Sequence, residues 1–291
     1  MSLTDRWAVM GLDCRRGDNV AIGGGVAPLR FSLSMLYALN FIQRNYSVHV
    51  ICSASAHSYT AYKTACANLG IELVDEAGEI ASLLNRLAQA VDAGLDVQPQ
   101  LLIVSEFEDL EESLQDWMDE VGKDANRPRL ASRNGGEPSK IKRQSPAVPA
   151  GEAELAKLLN KRAQDKAKAK VGGPTVQTAS NLFQDLSKIL EKGSRYGIHV
   201  VWSSERSPQS FLANRKLLGS SALNVTVKGT FAYRFCTKTV DRGLSREFGF
   251  DQEESPMSLD SKREGSIVYC SDRTGNVSKL RPFSLSWEAM F

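Results

Sequence analysis

Up to about Val121, short apolar runs alternate with longer stretches whose apolar positions recur every three or four residues. Asn19 to Ile22 reads as a strand, Gly23, Gly24 and Gly25 as a turn, and Phe31 to Gln43 as a helix carrying Leu33, Leu36, Tyr37, Leu39 and Phe41 at helical spacing. The same unit repeats. A strand at Ser47 to Cys52 precedes a helix at Tyr59 to Leu69 that Gly70 closes, and a strand at Ile71 to Val74 precedes a helix at Glu79 to Val91. Leu101 to Val104 is then a run suited to a strand buried on both faces, and a helix through Leu114 and Trp117 follows. This alternation predicts an α/β domain with a mostly parallel sheet and helices on both faces.

The pattern stops near Val121. Residues 122–151 carry Asn-Arg-Pro-Arg, Asn-Gly-Gly and Ser-Pro clusters with no apolar period, and Glu152 to Lys170 has only a thin stripe of leucines. Periodicity returns with a helix at Asn181 to Lys192 and a buried strand at Ile198 to Trp202. Additional strands are expected at Val225 to Val227, Phe231 to Cys236, Gly265 to Cys270 and Val277 to Leu280, and a short helix at Asp241 to Phe248. The reading is one domain over 1–291, interrupted by a basic, flexible insertion at about 122–177.

Charge sharpens that division. The chain has 36 basic and 34 acidic residues, a net of +2, yet residues 122–170 alone carry +8, which leaves −6 for the rest. Global charge does not announce a nucleic-acid binder, but the segment 123–170 is a candidate electrostatic arm for nucleic acid. The five cysteines are scattered without a C-x-x-C pair and the three histidines are dispersed, so no metal site is expected. Cys52, Cys236 and Cys270 lie in apolar runs and read as reduced core residues. No window reaches the length of a membrane span and the N-terminus lacks a signal-peptide layout, so a cytoplasmic location is expected, reached at the membrane only through a partner or a longer parent chain.

In parallel sheets, ligands bind beyond the carboxyl ends of the strands, where Ser105 and Glu106 emerge. Two further segments make that end of the sheet recognisable. Gly193-Ser194-Arg195-Tyr196-Gly197-Ile198-His199-Val200-Val201, running into Ser203-Ser204-Glu205-Arg206-Ser207, resembles the "GIH" strand and polar tip of FtsK/SpoIIIE-type motor ATPases. Leu101 to Leu110 is similar to that family's Walker B strand. Phe231 to Phe235, Asp241 and Arg242, Gly265 to Tyr269 and the ending Arg281-Pro282-Phe283 are similar to its closing strands, most of all in the ATPase modules of the type VII secretion (EssC/EccC) group. The resemblance implies a RecA-like, P-loop NTPase-type fold, ATP and Mg²⁺ as cofactors, hexamers or arrays of related modules, and DNA or a secreted protein as cargo.

The departures fall on the nucleotide chemistry. A phosphate loop needs G-x-x-x-x-G-K-[ST], whereas Gly24 to Phe31 reads Gly-Gly-Val-Ala-Pro-Leu-Arg-Phe. Arg30 takes the place of the lysine, Leu29 that of the second glycine, and Phe31 that of the metal-binding hydroxyl. Ser105 stands where the family has the Mg²⁺-associated aspartate, and Glu106 stands where the residue that polarises water would be. By this resemblance Glu106 is the catalytic candidate, as a working Walker B-like residue or its vestige. Gly23, Gly24, Gly25, Arg30, Ser105 and Ser204 form a degenerate nucleotide site, with ATP and Mg²⁺ bound weakly or not at all. The expected function is a degenerate ATPase module with a structural, regulatory or recognition role in a translocating assembly. The alternatives are an active translocase with an unusual loop, and a nucleic-acid-associated protein using its basic segment.

Overall fold

The computed structural model describes residues 18–95, 98–126, 176–214, 218, 226–250, 255–259 and 267–282. The basic segment 127–175, the chain before Asp18 and Phe283 of the expected closing motif lie outside them. Strand β1 (Asn19–Gly23) leads through a tight turn to α1 (Ala27–Ile42), and β2 (Ser47–Cys52) leads to α2 (Tyr59–Leu69). They are followed by β3 (Glu72–Val74), α3 (Ala77–Asp92), β4 (Gln100–Ser105) and α4 (Phe107–Asn126). After the undescribed stretch come α5 (Val176–Lys192), β5 (Ile198–Ser203), β6 (Phe231–Cys236), α6 (Arg242–Phe248), β7 (Val268–Ser271) and β8 (Val277–Leu280).

Local chemistry accounts for most boundaries. Helix α1 begins four residues before Phe31, because Pro28 sits in its first turn, where a missing N–H costs nothing. Gly70 closes α2 in the left-handed region at φ 65°. Asp241 caps α6, its side chain accepting from the N–H groups of Gly243 and Leu244. One expectation fails here. Val227 starts a single helical turn (Val227–Thr230) instead of ending a strand, because the Thr226 hydroxyl accepts from Gly229 N–H and caps the turn.

Among the described residues, eight strands form one sheet in the order β3-β2-β4-β5-β1-β6-β7-β8. The first six are parallel, and β7 and β8 close the edge antiparallel. Helices α3, α4 and α5 cover one face, packing Leu84, Leu87, Leu186 and Ile189 against Leu102 and Trp202. Helices α1 and α2 cover the other, with Phe31, Met35 and Tyr62 against Ile103 and Val201. His199 is buried at the edge of the Phe41 ring, centroids 5.3 Å apart. None of the described helices is long and apolar enough to cross a membrane.

From β1 the chain departs toward β2 on one side, while β6 flanks β1 on the other. The carboxyl end of β1, beside those of β5 and β4, is therefore a topological switch point, where open α/β sheets form their crevices.

Candidate functional site

The turn after β1 is short. Gly24 adopts φ 107°, and a Cβ there would lie 2.5 Å from Thr237 Oγ1 and 2.6 Å from the Thr237 carbonyl oxygen. Glycine is required at that point, because the residues following β6 press against the turn. They also take up its donors. Gly25 N–H donates to the Lys238 carbonyl at 2.8 Å, and Val26 N–H donates to Thr237 Oγ1 at 3.2 Å. Thr237 N–H in turn donates to the Gly23 carbonyl at 2.9 Å. The turn is stitched to the chain beyond β6.

Arg30 lies one turn into α1 and is only 3% exposed. Its Nη1 donates to the Gly24 carbonyl, and its Nη2 donates to Glu106 Oε2 at 2.5 Å. The other carboxylate oxygen, Oε1, accepts from the Ser58 hydroxyl at 3.0 Å. Both oxygens of Glu106 are therefore engaged, and the residue is buried. Glu106 occupies the left-handed region at φ 46°, which costs a residue with a Cβ roughly 1–2 kcal/mol. The following Phe107 fixes the start of α4 by packing on Trp202, ring centroids 4.1 Å apart. The strained junction between β4 and α4 is held in place by these contacts on both sides.

Ser105 is fully buried on the α1 side of the sheet, beside Cys52 and Tyr62. Burial pushes the Cys52 thiol and the Tyr62 hydroxyl each up to about 12, and the neighbouring Ser105 hydroxyl opposes that effect in both. Burial also raises the carboxyl groups of Glu108 and Asp109 on α4. The negative charge of Glu106 adds to the rise in both. Glu108 is only partly exposed, and its Oε1 accepts from Arg206 N–H at 2.7 Å.

Of the residues singled out in the sequence, Gly24, Arg30 and Glu106 are brought into direct contact, with Gly23, Gly25 and Ser105 adjoining them. Ser204 is not among these contacts. Its hydroxyl accepts from Trp202 Nε1 at 3.2 Å and donates to the Arg206 carbonyl, which ties it to the turn after β5. The sequence reading missed Ser58 and Thr237. Both act across the sheet from distant elements, and no local motif marks them. Among the described residues there is no group of three or more His, Cys, Asp or Glu able to hold a metal ion.

Outside this contact lies an open cleft of about 440 Å³, lined by Gly25, Val26, Glu205, Arg206, the chain from Lys238 to Val240, and Asp241. Val240, at its rim, is 88% exposed.

The strand order and the crevice at the switch point define an α/β fold of the RecA-like type. The chain matches no protein-family model and no curated protein sequence. Among solved structures it is similar to the pCW3 conjugation coupling protein TcpA, in monomer form with ATPγS, at a TM-score of 0.51 and 10% identity over 96% of this chain. It is similar also to EccC of Thermomonospora curvata (ATPases 2 and 3, in complex with a signal sequence peptide), at a TM-score of 0.48 and 10% identity over 93% of this chain. A third is the genome packaging NTPase B204 of Sulfolobus turreted icosahedral virus 2 in complex with AMPPCP, at a TM-score of 0.43 and 8% identity over 91% of this chain and 98% of that one. The chain spans 63% of the TcpA structure and 37% of the EccC structure. At 10% identity the property shared with TcpA is the fold.

Proposed function

We propose that this chain is a degenerate module of FtsK/SpoIIIE type, with ATP hydrolysis impaired or absent, serving a structural, regulatory or substrate-recognition role in a DNA- or protein-translocating assembly. The observation that carries the reading is the Arg30 guanidinium held between the Gly24 carbonyl and the Glu106 carboxylate. A triphosphate needs backbone N–H donors and a cation directed outward. Here two N–H groups of the turn are committed to Thr237 and Lys238, a carbonyl faces the guanidinium, and that guanidinium is committed to a carboxylate. Ser105 supplies a neutral hydroxyl where a metal shell would want an anion. The residues present do not fit a Mg²⁺–triphosphate.

The module would act by its surfaces, packed beside related and active modules, with DNA or a secreted protein as the cargo of the whole. In the same reading the basic segment 123–170 is a contact for nucleic acid. The test is nucleotide binding by the intact chain. Thermal unfolding in millimolar ATP with Mg²⁺ should shift by less than about 1 °C, because a ligand stabilises only in proportion to its occupancy. A large shift with Mg²⁺-dependent turnover abolished by Glu106→Gln overturns the proposal.

A second reading, residual nucleotide binding, has one observation in its favour. The cleft above Gly25 and Val26 brings Arg206 and Lys238 to the carboxyl ends of the central strands. Binding that Arg206→Ala weakens, with no turnover, would support that reading over complete loss.

A further inference from the structure

The guanidinium of Arg30 bridges strands that are not neighbours. It bonds Gly24 just past the end of β1 and Glu106 just past the end of β4, and β5 lies between those strands in the sheet. Its course therefore passes over the end of β5, where Ser203 stands. Along β5 Val201 belongs to the core on the α1 side and Trp202 to the core on the opposite side, so alternation returns Ser203 to the side of Arg30. Ser105 is its register partner on β4, so the two hydroxyls stand side by side on the face that α1 covers.

Three atoms in this place have no hydrogen-bond partner among the described residues: Arg30 Nε, a donor, and the Ser105 and Ser203 hydroxyl oxygens, each of which can both donate and accept. Arg30 is 3% exposed and Ser203 fully buried, so bulk water reaches neither. Buried polar groups left in this way are the usual partners of internal waters. We propose that one ordered water is bound between α1 and the ends of β4 and β5, accepting from Arg30 Nε and bonding Ser203 Oγ, with the Ser105 hydroxyl lining the same space.

A neutral ligand suits the site better than an ion. The charge of Arg30 is already balanced by Glu106, and the described residues hold no cluster of cation ligands. Ser203 is then a positioning residue. Through the water it fixes the plane of the guanidinium, so that Nη1 meets Gly24 and Nη2 meets Glu106. This inference rests on the placement of Arg30 and is independent of whether nucleotide chemistry has been lost.

The experiment is a crystal structure of the full chain at about 1.5 Å or better, together with a bromide soak. The expected result is a peak about 2.7–3.2 Å from both Arg30 Nε and Ser203 Oγ, with no anomalous signal from bromide. An empty space, a protein group bonded to Ser203 Oγ, or an anomalous peak overturns the proposal. Water-oxygen magnetic relaxation dispersion gives a second readout that does not depend on stability. Ser203→Val should lose one long-lived internal water relative to the parent chain, and an unchanged count would contradict the assignment.

Discussion

Arg30 and Glu106, 76 residues apart in the chain, form a buried ion pair with a 2.5 Å contact. Taking two charges out of water is costly, and the pair is sustained by the Gly24 carbonyl on one side and the Ser58 hydroxyl on the other. Breaking it from one side strands the remaining charge. Arg30→Met alone and Glu106→Leu alone should each destabilise the chain by about 3–5 kcal/mol, whereas the double replacement should cost much less than the sum. Urea unfolding of the two single variants and the double variant measures the coupling, and additive losses would deny the pair its role.

Gly24 meets Thr237 where no side chain can enter. Gly24→Ala should cost more than the roughly 1–2 kcal/mol of left-handed strain, because the nearest atoms include the Thr237 backbone. Adding Thr237→Ser to that variant should restore little, since Oγ1 and the carbonyl both remain. The unfolding midpoints of the two variants decide it.

The order of elements was legible because it is written locally. Apolar runs such as Leu101 to Val104 and the helical spacing of Ile80, Leu83, Leu84 and Leu87 need no distant partner to be read, and both appear where expected. The turn at Val227 was illegible because a threonine cap outweighs the β-branched run in which it sits. At the site, the altered loop was visible in the absence of the glycine–lysine pair. What Arg30 does there was not visible, because its partner Glu106 comes from just past β4, and the other oxygen of that carboxylate is held by Ser58 from the loop before α2. Motif comparison shows which positions differ from the resembled pattern, while only the fold shows that Arg30 pairs with Glu106.

Four described cysteines, Cys52, Cys66, Cys236 and Cys270, are buried as free thiols, and burial raises the pKa of each. Cys52, Cys66 and Cys270 reach about 12, so at pH 8 almost none of each is thiolate. In a Cys14→Ser background, a disulfide reagent should label essentially nothing in the native chain and all four thiols after denaturation. Fast native labelling at any of them would show that its core opens.

The first turns of α4 carry a testable pH signature. Burial raises the carboxyl of Glu111, and the charge of Glu108 adds to the rise. Its folded pKa then lies above the unfolded one, so the folded chain holds that proton more tightly. The cost of the charged form is full at neutral pH and disappears as pH falls through the folded toward the unfolded value. Glu111→Gln should accordingly be more stable than the parent at pH 7, with the advantage shrinking toward pH 4. An advantage that grows on acidification would reverse the sign.

The most direct test of the closed site is isothermal titration of the intact chain with ATP and Mg²⁺, run beside Arg30→Lys. A guanidinium held between Gly24 and Glu106 predicts no heat of specific binding to the parent chain at micromolar nucleotide and no Mg²⁺-dependent phosphate release. Micromolar binding by the parent chain, with turnover that Glu106→Gln abolishes, would show that Arg30 and Glu106 part for nucleotide, contradicting the account at its centre.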